Sequence, residues 1–175
     1  MEQAAHRRSG IIFPLLKLAV FTLLVPCTVT LWLPRFFYAS LYRWDARPQG
    51  AAAAAGIVLL VLGAAGYFSC ALAFAFTGRG TPAPIDPPKR LVARGLYRYV
   101  RNPMYLSVLL VLLGECVMFR SWRLLRYAAF CFAFAFLFVL LYEEPALRSK
   151  FGASYEEYCR SVPRWIPRFR AKPRS

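Results

Sequence analysis

Hydrophobic residues fall into four long runs along this chain, separated by short polar segments rich in arginine, proline and aromatic residues. The runs occupy residues 11–33, 51–77, 100–119 and 124–142. A helix that spans a bilayer needs about 20 mainly apolar residues, within a range of about 17–25. The third run reaches this length only when it is taken to begin at Val100. The pattern therefore predicts an all-α polytopic membrane protein with four transmembrane helices.

Beyond the fourth run, apolar and aromatic residues recur at spacings of four, four and three. They are Leu147, Phe151, Tyr155 and Tyr158. This spacing predicts an amphipathic helix, of the kind that also lies on membrane surfaces without any chemistry. The basic and aromatic residues 162–168 predict a non-helical tail, which either folds over the end of the helix bundle or rests on anionic lipid. Residues 144–175 thus form a cytoplasmic helix and tail within one domain that covers residues 1–175.

Composition and charge then limit the class of protein. The chain is 59% hydrophobic, which excludes an ordinary soluble protein, and its net charge is +15. Sixteen of the 23 Lys and Arg residues flank the runs on the side of the two termini, against six on the other side. Because positive loops stay in the cytoplasm, both termini are expected there, and the partner is the lipid bilayer rather than nucleic acid. Nineteen Arg against four Lys favours a bacterial inner membrane, with the endoplasmic reticulum as the alternative.

Three features inside the runs have structural interpretations. Glu115 lies near Arg120 and Arg123, so we expect it to form an ion pair at the membrane boundary. Small residues in the second run predict close helix packing; they are Ala52, Gly56, Gly63 and Gly66. The five cysteines lack the spacing of metal ligands, so no metal site is predicted.

The polar ends of the third and fourth runs point to a binding site. Asn102 and Pro103 are favoured residues at the N-cap and first position of a helix. If the third and fourth runs form a hairpin, this helix start lies level with Glu143 and Glu144 at the end of the fourth run. Free N–H groups and the positive end of the helix dipole attract an anionic group, and a carboxylate attracts a cation. Such a site could hold both ends of a zwitterion.

Polar and aromatic residues between positions 89 and 168 follow a specific order and spacing. They are Gly95-x-Tyr97-x-x-x-Arg101-Asn102-Pro103-x-Tyr105, then Glu143-Glu144, then Phe151-Gly152-x-x-Tyr155-x-x-Tyr158, and then Val162-Pro163-Arg164. This pattern resembles the isoprenylcysteine carboxyl methyltransferase family, which is related to the membrane phospholipid methyltransferases. The resemblance implies an integral membrane enzyme that uses S-adenosyl-L-methionine without a Rossmann domain.

The resemblance also implies roles for individual residues. The residues implied to contact the cofactor are Lys89, Arg90, Leu91, Val92, Tyr97, Asn102, Pro103, Met104, Tyr105 and Glu143. Glu143 would face the cationic part of the cofactor, and the helix start near Asn102 would face its carboxylate. The candidate catalytic residues are Glu144, as a possible base, and Arg164, as a possible partner of the acceptor.

Two departures from the family pattern bear on the methyl acceptor. Asn102 stands where the family often has His, and the only histidine is His6, so no histidine base is available. A carboxylate acceptor is already ionised at neutral pH and needs no base, which favours carboxyl O-methylation of a lipophilic, isoprenylcysteine-like acceptor. Val139 stands where eukaryotic members have a substrate-orienting Arg. The alternatives are a phospholipid or amine N-methyltransferase, a non-catalytic membrane module that keeps the fold, and a transporter or small channel subunit.

Overall fold

The computed structural model describes residues 16–38, 50–78 and 91–168, and all regular structure within these ranges is helical. The helices are α1 (Leu16–Phe36), α2 (Gly50–Ala73), α3 (Pro103–Met118), α4 (Trp122–Phe138), α5 (Glu144–Phe151) and α6 (Ala153–Ser161). A π-helical segment lies within α1 at Thr28–Trp32, a second extends α2 at Phe74–Gly78, and a third joins α4 to α5 at Val139–Glu143. A short 3₁₀ helix, Gly95–Arg98, precedes α3.

Three helical segments within the described ranges are long and apolar enough to cross a membrane. They are Leu16–Phe36, Gly50–Phe76 and Trp122–Phe151. The predicted third span is shorter than expected, because α3 begins only at Pro103 and has 16 residues. The start predicted at Val100 is wrong, since Arg101 and Asn102 are not helical. The protein is an all-α membrane protein, but four spans are not confirmed.

Helices α2 and α3 pack antiparallel at very short distance. A Cβ added at Gly56 would lie 2.8 Å from the carbonyl oxygen of Gly114, and one added at Gly63 would lie 2.7 Å from that of Ser107. Glycine is needed at these positions because the facing atoms belong to the backbone and cannot move aside. The predicted close packing of the small residues in this helix is confirmed at Gly56, Gly63 and Gly66.

Helices α3 and α4 form the predicted hairpin. The chain turns at Arg120, which has a φ of 47°, and the hydroxyl of Ser121 accepts a hydrogen bond from the N–H of Leu124 at 3.3 Å. Helix α1 reaches this hairpin at one end, where the Tyr127 hydroxyl donates to the carbonyl of Val29 at 2.7 Å.

Glu115, near the turn end of α3, does not form the predicted ion pair with Arg120 or Arg123. The residue is 6% exposed, its Oε2 is buried without a hydrogen-bond partner, and no cation of the described residues lies within 4 Å of the carboxylate. The side chain points into the protein instead of reaching toward the membrane boundary.

The helix of the fourth run does not end at residue 142, as predicted, but continues through Pro145 into α5 and ends at Phe151. In the π-helical segment between α4 and α5, the N–H of Glu144 bonds the carbonyl of Val139, five residues back. Pro145 has no N–H to donate, and the wider turn before it leaves room for the proline ring, so the helix continues past this residue. The following amphipathic segment is two helices rather than one, because Gly152 breaks it with a φ of 52°.

Candidate functional site

The start of α3 and the end of the fourth apolar segment meet, as the hairpin predicted. The hydroxyl of Tyr105 donates a hydrogen bond of 2.8 Å to Oε2 of Glu143. Tyr105 lies in the first turn of α3, two residues after Pro103, and Glu143 is the last residue of the π-helical segment. A carboxylate therefore lies beside a helix N-terminus, with one of its oxygens held by a phenol.

Glu144, the next residue, is buried and bound by Arg101 and Arg164, and Nη2 of Arg148 lies 3.9 Å from its Oε2. Arg164 donates from Nε to Oε1 at 2.7 Å and from Nη2 to Oε2 at 2.8 Å, which is the strong two-bond arrangement of a guanidinium with a carboxylate. Arg101 donates from Nη1 to Oε1 at 3.0 Å. These bonds raise the pKa of Arg164. Both oxygens of Glu144 are occupied. The ion-pair cluster contains three guanidinium groups, those of Arg101, Arg148 and Arg164, and the carboxylates of Glu144 and Glu156, so it has a net positive charge.

The tail folds back over the start of α3, so the first of the two predicted arrangements is the one adopted. We call residues 162–168 the C-terminal strap. The backbone N–H of Arg101 donates to the carbonyl of Pro163 at 2.9 Å, and that of Arg168 donates to the carbonyl of Tyr99 at 3.0 Å. The side chain of Asn102 donates to the carbonyl of Arg164 at 3.2 Å. Asn102 occupies the predicted N-cap position, but its side chain holds the strap instead of capping the helix.

Trp165 of the strap packs between α3 and α4. Its ring lies 5.1 Å from that of Phe132, 5.8 Å from that of Phe136 and 6.3 Å from that of Tyr105, measured between centroids. Its indole Nε1 is buried and has no hydrogen-bond partner among the described residues. The indole thus joins the strap to the same tyrosine that binds Glu143.

Tyr97 lies in the 3₁₀ helix before α3 and is buried with Val92 and Cys70, while Met104 packs against this cluster. Its carbonyl accepts a hydrogen bond of 2.7 Å from the hydroxyl of Tyr158. Burial raises the pKa of the Tyr97 hydroxyl well above its usual value, and the nearby Cys70 and Glu143 raise it further. The phenol is therefore neutral at physiological pH.

Of the other residues predicted to contact the cofactor, Leu91 and Pro103 are described by the structure, and Lys89 and Arg90 are not. Leu91 packs against the buried Tyr155 and Tyr158, so the predicted aromatic stripe forms a protein core rather than a membrane-facing surface. Pro103 is buried at the start of α3. Lys89 and Arg90 lie outside the described residues.

The sequence of this chain also matches a known protein family. A family model described as phospholipid methyltransferase matches residues 51–154, which is more than half of the chain. The chain belongs to the phospholipid methyltransferase family. This family shares a superfamily of membrane methyltransferases with the isoprenylcysteine carboxyl methyltransferases, so the relationship expected from the motifs is confirmed. Comparison with curated proteins and with solved structures gives no match.

The match to phospholipid methyltransferases covers α2 to α5 and the start of α6, and therefore includes Tyr97, Tyr105 and Glu143. It ends before the C-terminal strap. The sequence does not single out Trp165, because a tryptophan in a basic tail has no spacing that distinguishes a core contact from a membrane anchor. Arg101 belongs to the motif that includes Asn102, but the sequence does not indicate its partner, because Glu144 lies 43 residues away.

Proposed function

We propose that this member of the phospholipid methyltransferase family is an S-adenosyl-L-methionine-dependent integral membrane methyltransferase. The observation that carries the proposal is the contact of Tyr105 with Glu143, because it puts a carboxylate beside the start of a helix. Glu143 suits a cation, and the free N–H groups at the start of α3 suit a carboxylate. The cofactor carries both groups, so the residues fit it.

When bound, the cofactor would supply an activated methyl group on a sulfonium, which a lone pair of the acceptor would take while the electron pair of the S–C bond stays on sulfur. The chain holds the donor with Glu143, Tyr105 and the start of α3. Val92, Tyr97 and Met104 provide the apolar surface beside it, and Leu91, Asn102 and Pro103 complete the set, with Lys89 and Arg90 preceding them. Rate acceleration then comes mainly from positioning and from exclusion of water.

Glu144 and Arg164 act in this proposal as positioning residues. Their two hydrogen bonds tie the C-terminal strap to the end of the fourth helix, and Arg101 occupies the remaining capacity of the same carboxylate. Because three charge-assisted hydrogen bonds from Arg164 and Arg101 occupy both of its oxygens, the Glu144 carboxylate is engaged with the strap and not with an acceptor. The function that fits best is therefore carboxyl O-methylation of a lipophilic, isoprenylcysteine-like acceptor, which needs no base.

Phospholipid or amine N-methylation is the second candidate, and the description of the matching family favours it. An amine acceptor has to lose a proton, and Glu143 is the carboxylate at this site that no guanidinium group of the described residues binds. For either acceptor we propose that the site faces the cytoplasm, with both termini on that side of a bacterial inner membrane. The distribution of Lys and Arg along the chain supports this orientation.

The first experiment measures binding of S-adenosylhomocysteine to the detergent-purified protein by calorimetry. We expect binding that is weakened at least tenfold by Glu143→Ala and unchanged by Glu157→Ala, an exposed carboxylate on α6. Absence of binding by the unaltered protein in several detergents would show that it is not a methyltransferase of this type.

The second experiment incubates the protein with radiolabelled S-adenosylmethionine and native membrane extract. A base-labile volatile label identifies a methyl ester, and a stable label in the lipid headgroup identifies N-methylation. Binding of the cofactor without any labelled product would indicate a non-catalytic membrane module.

A further inference from the structure

The arginines closest to the site are engaged with Glu144. Arg164 uses Nε and Nη2 for this carboxylate, and Arg101 uses Nη1, which also contacts the sulfur of Cys159 on α6 at 2.9 Å. The helix position one turn before Glu143 is the apolar Val139, which is 1% exposed. Because Glu144 orients both guanidinium groups toward itself, we looked for a hydrogen-bond donor for the acceptor that this carboxylate does not hold.

Trp165 offers such a donor. Its Nε1–H is buried and has no partner among the described residues, although a buried donor is normally hydrogen-bonded. Arg101 also has a buried Nε that no described residue binds, but its side chain reaches toward Cys159 on α6. Trp165 instead lies against α3 and α4, between the site and the membrane-spanning helix.

The surroundings of Trp165 suit a lipophilic molecule with a charged end. Phe132 and Phe136 lie one helical turn apart on α4 and contact the indole, whereas Phe130 and Phe134 are 69% and 65% exposed and face away from the protein. Arg164, adjacent to Trp165 in the chain, belongs to the cluster with a net positive charge.

We propose that Trp165 is the acceptor-binding residue, with its Nε1–H donating to an anionic oxygen of the methyl acceptor. The oxygen belongs to a carboxylate in a prenylcysteine or to a phosphate in a phospholipid headgroup, and Phe132 and Phe136 contact the apolar part. Because Trp165 reaches this position only through the strap, the acceptor site exists only while Arg164 binds Glu144. The inference rests on the proposed methyltransferase function for its kinetic test, but binding of the acceptor can be measured without the cofactor.

The binding test uses a variant with Trp32, Trp44 and Trp122 changed to Phe, so that Trp165 is the sole source of indole fluorescence. N-acetyl-S-farnesylcysteine and its methyl ester are titrated separately, and vesicles of phosphatidylethanolamine provide the phosphate. We expect a saturable change with the free carboxylate or with the phospholipid, and at least tenfold weaker binding of the neutral methyl ester than of the acid. Equal binding of acid and ester, without any response to phospholipid, would overturn the proposal, as would no response to any of the three.

The kinetic test uses Trp165→Phe, which keeps a ring against Phe132 and Phe136 but lacks the N–H. We expect the KM for the acceptor to rise about tenfold, with kcat and the Kd for S-adenosylhomocysteine within twofold of the unaltered protein. Trp122→Phe, which alters an exposed tryptophan at the other end of the hairpin, is the matched control and should change neither. An unchanged KM, or a loss confined to S-adenosylhomocysteine affinity, would overturn the assignment. If the unaltered protein does not bind S-adenosylhomocysteine, the proposed function is wrong. The fluorescence titration still tests binding of the acceptor by Trp165, because it does not use the cofactor.

Discussion

Arg164 and Glu144 are joined by two hydrogen bonds of 2.7 and 2.8 Å, although they lie 20 residues apart in the sequence and are separated there by α5 and α6. The Glu144 side chain is 3% exposed, whereas the Arg164 side chain is 31% exposed. The ion pair therefore attaches the C-terminal strap, from its solvent side, to the buried carboxylate of Glu144. Arg101 shares that charge, so the pair also fixes the segment that precedes α3.

Removal of the Glu144 carboxylate is expected to destabilise the protein strongly. Glu144→Ala leaves the guanidinium of Arg101, whose side chain is 12% exposed, without its counter-charge. Loss of one partner of a buried ion pair typically costs about 3–5 kcal/mol. Thermal unfolding in detergent measures this loss, and Glu157→Ala should leave the melting temperature unchanged. Equal melting temperatures for the two variants would contradict a structural role for the pair.

Loss of the Tyr105 hydroxyl is expected to weaken cofactor binding without unfolding the protein. Tyr105→Phe keeps the ring contact with Trp165 but releases Oε2 of Glu143. One lost hydrogen bond to a charged group is worth about 1.5–3 kcal/mol, which corresponds to roughly a tenfold or greater rise in Kd for S-adenosylhomocysteine. Calorimetry gives the value, and Tyr142→Phe serves as the control because Tyr142 is 52% exposed. The same Kd in both variants would remove Tyr105 from the site.

Substitution at the α2–α3 contact tests the fold independently of function. Gly63→Ala places a methyl group 2.7 Å from the backbone oxygen of Ser107, which requires the helices to separate. Such overpacking typically costs about 1–3 kcal/mol. Ala65→Leu adds more volume on the exposed face of the same helix and should be tolerated. A lower melting temperature for Ala65→Leu than for Gly63→Ala would show that the helices do not approach as described.

Alkaline pH is expected to destabilise the protein through the tyrosines around the 3₁₀ helix. Burial raises the pKa of Tyr97 and is also the main cause of the raised pKa of Tyr158, which the charge of Arg101 lowers only in part. Above the usual tyrosine pKa of about 10, the unfolded chain loses these protons while the folded chain keeps them, so stability falls as pH rises. Melting temperatures between about pH 8 and 11 should decline from about pH 10. Tyr158→Phe should start lower, because its bond to the Tyr97 carbonyl is lost, and should decline less steeply.

The meeting of Tyr105 with Glu143 was predictable because it depends on two features visible in the sequence. The third and fourth runs are similar in length and are separated by a short turn, so their outer ends return to the same level. The bond between Arg164 and Glu144 was not predictable in this way. It depends on how the chain turns at Gly152 and after Ser161, and arginines are frequent throughout the tail.

Some ends of the helices could likewise be predicted from the sequence, and others could not. Pro103 marks the true start of α3, but the apolar character of the preceding Val100 extended the predicted span in the wrong direction. Pro145 is a common sign that a helix has ended, and here the π-helical segment before it removes the conflict that would have ended the helix. Hydropathy does not register a change in the hydrogen-bonding pattern, so the continuation to Phe151 had no signal.

The π-helical segment Val139–Glu143 also changes the direction in which the rest of the helix points. Each residue of an α-helix turns the chain by about 100°, so one extra residue in a turn shifts the angular phase of everything that follows. Through this shift a single continuous helix presents an apolar face along α4 and directs Glu143 to Tyr105 and Glu144 to Arg164 on different sides. Deletion of one residue from the segment would turn the two carboxylates away from their partners together, without altering either side chain.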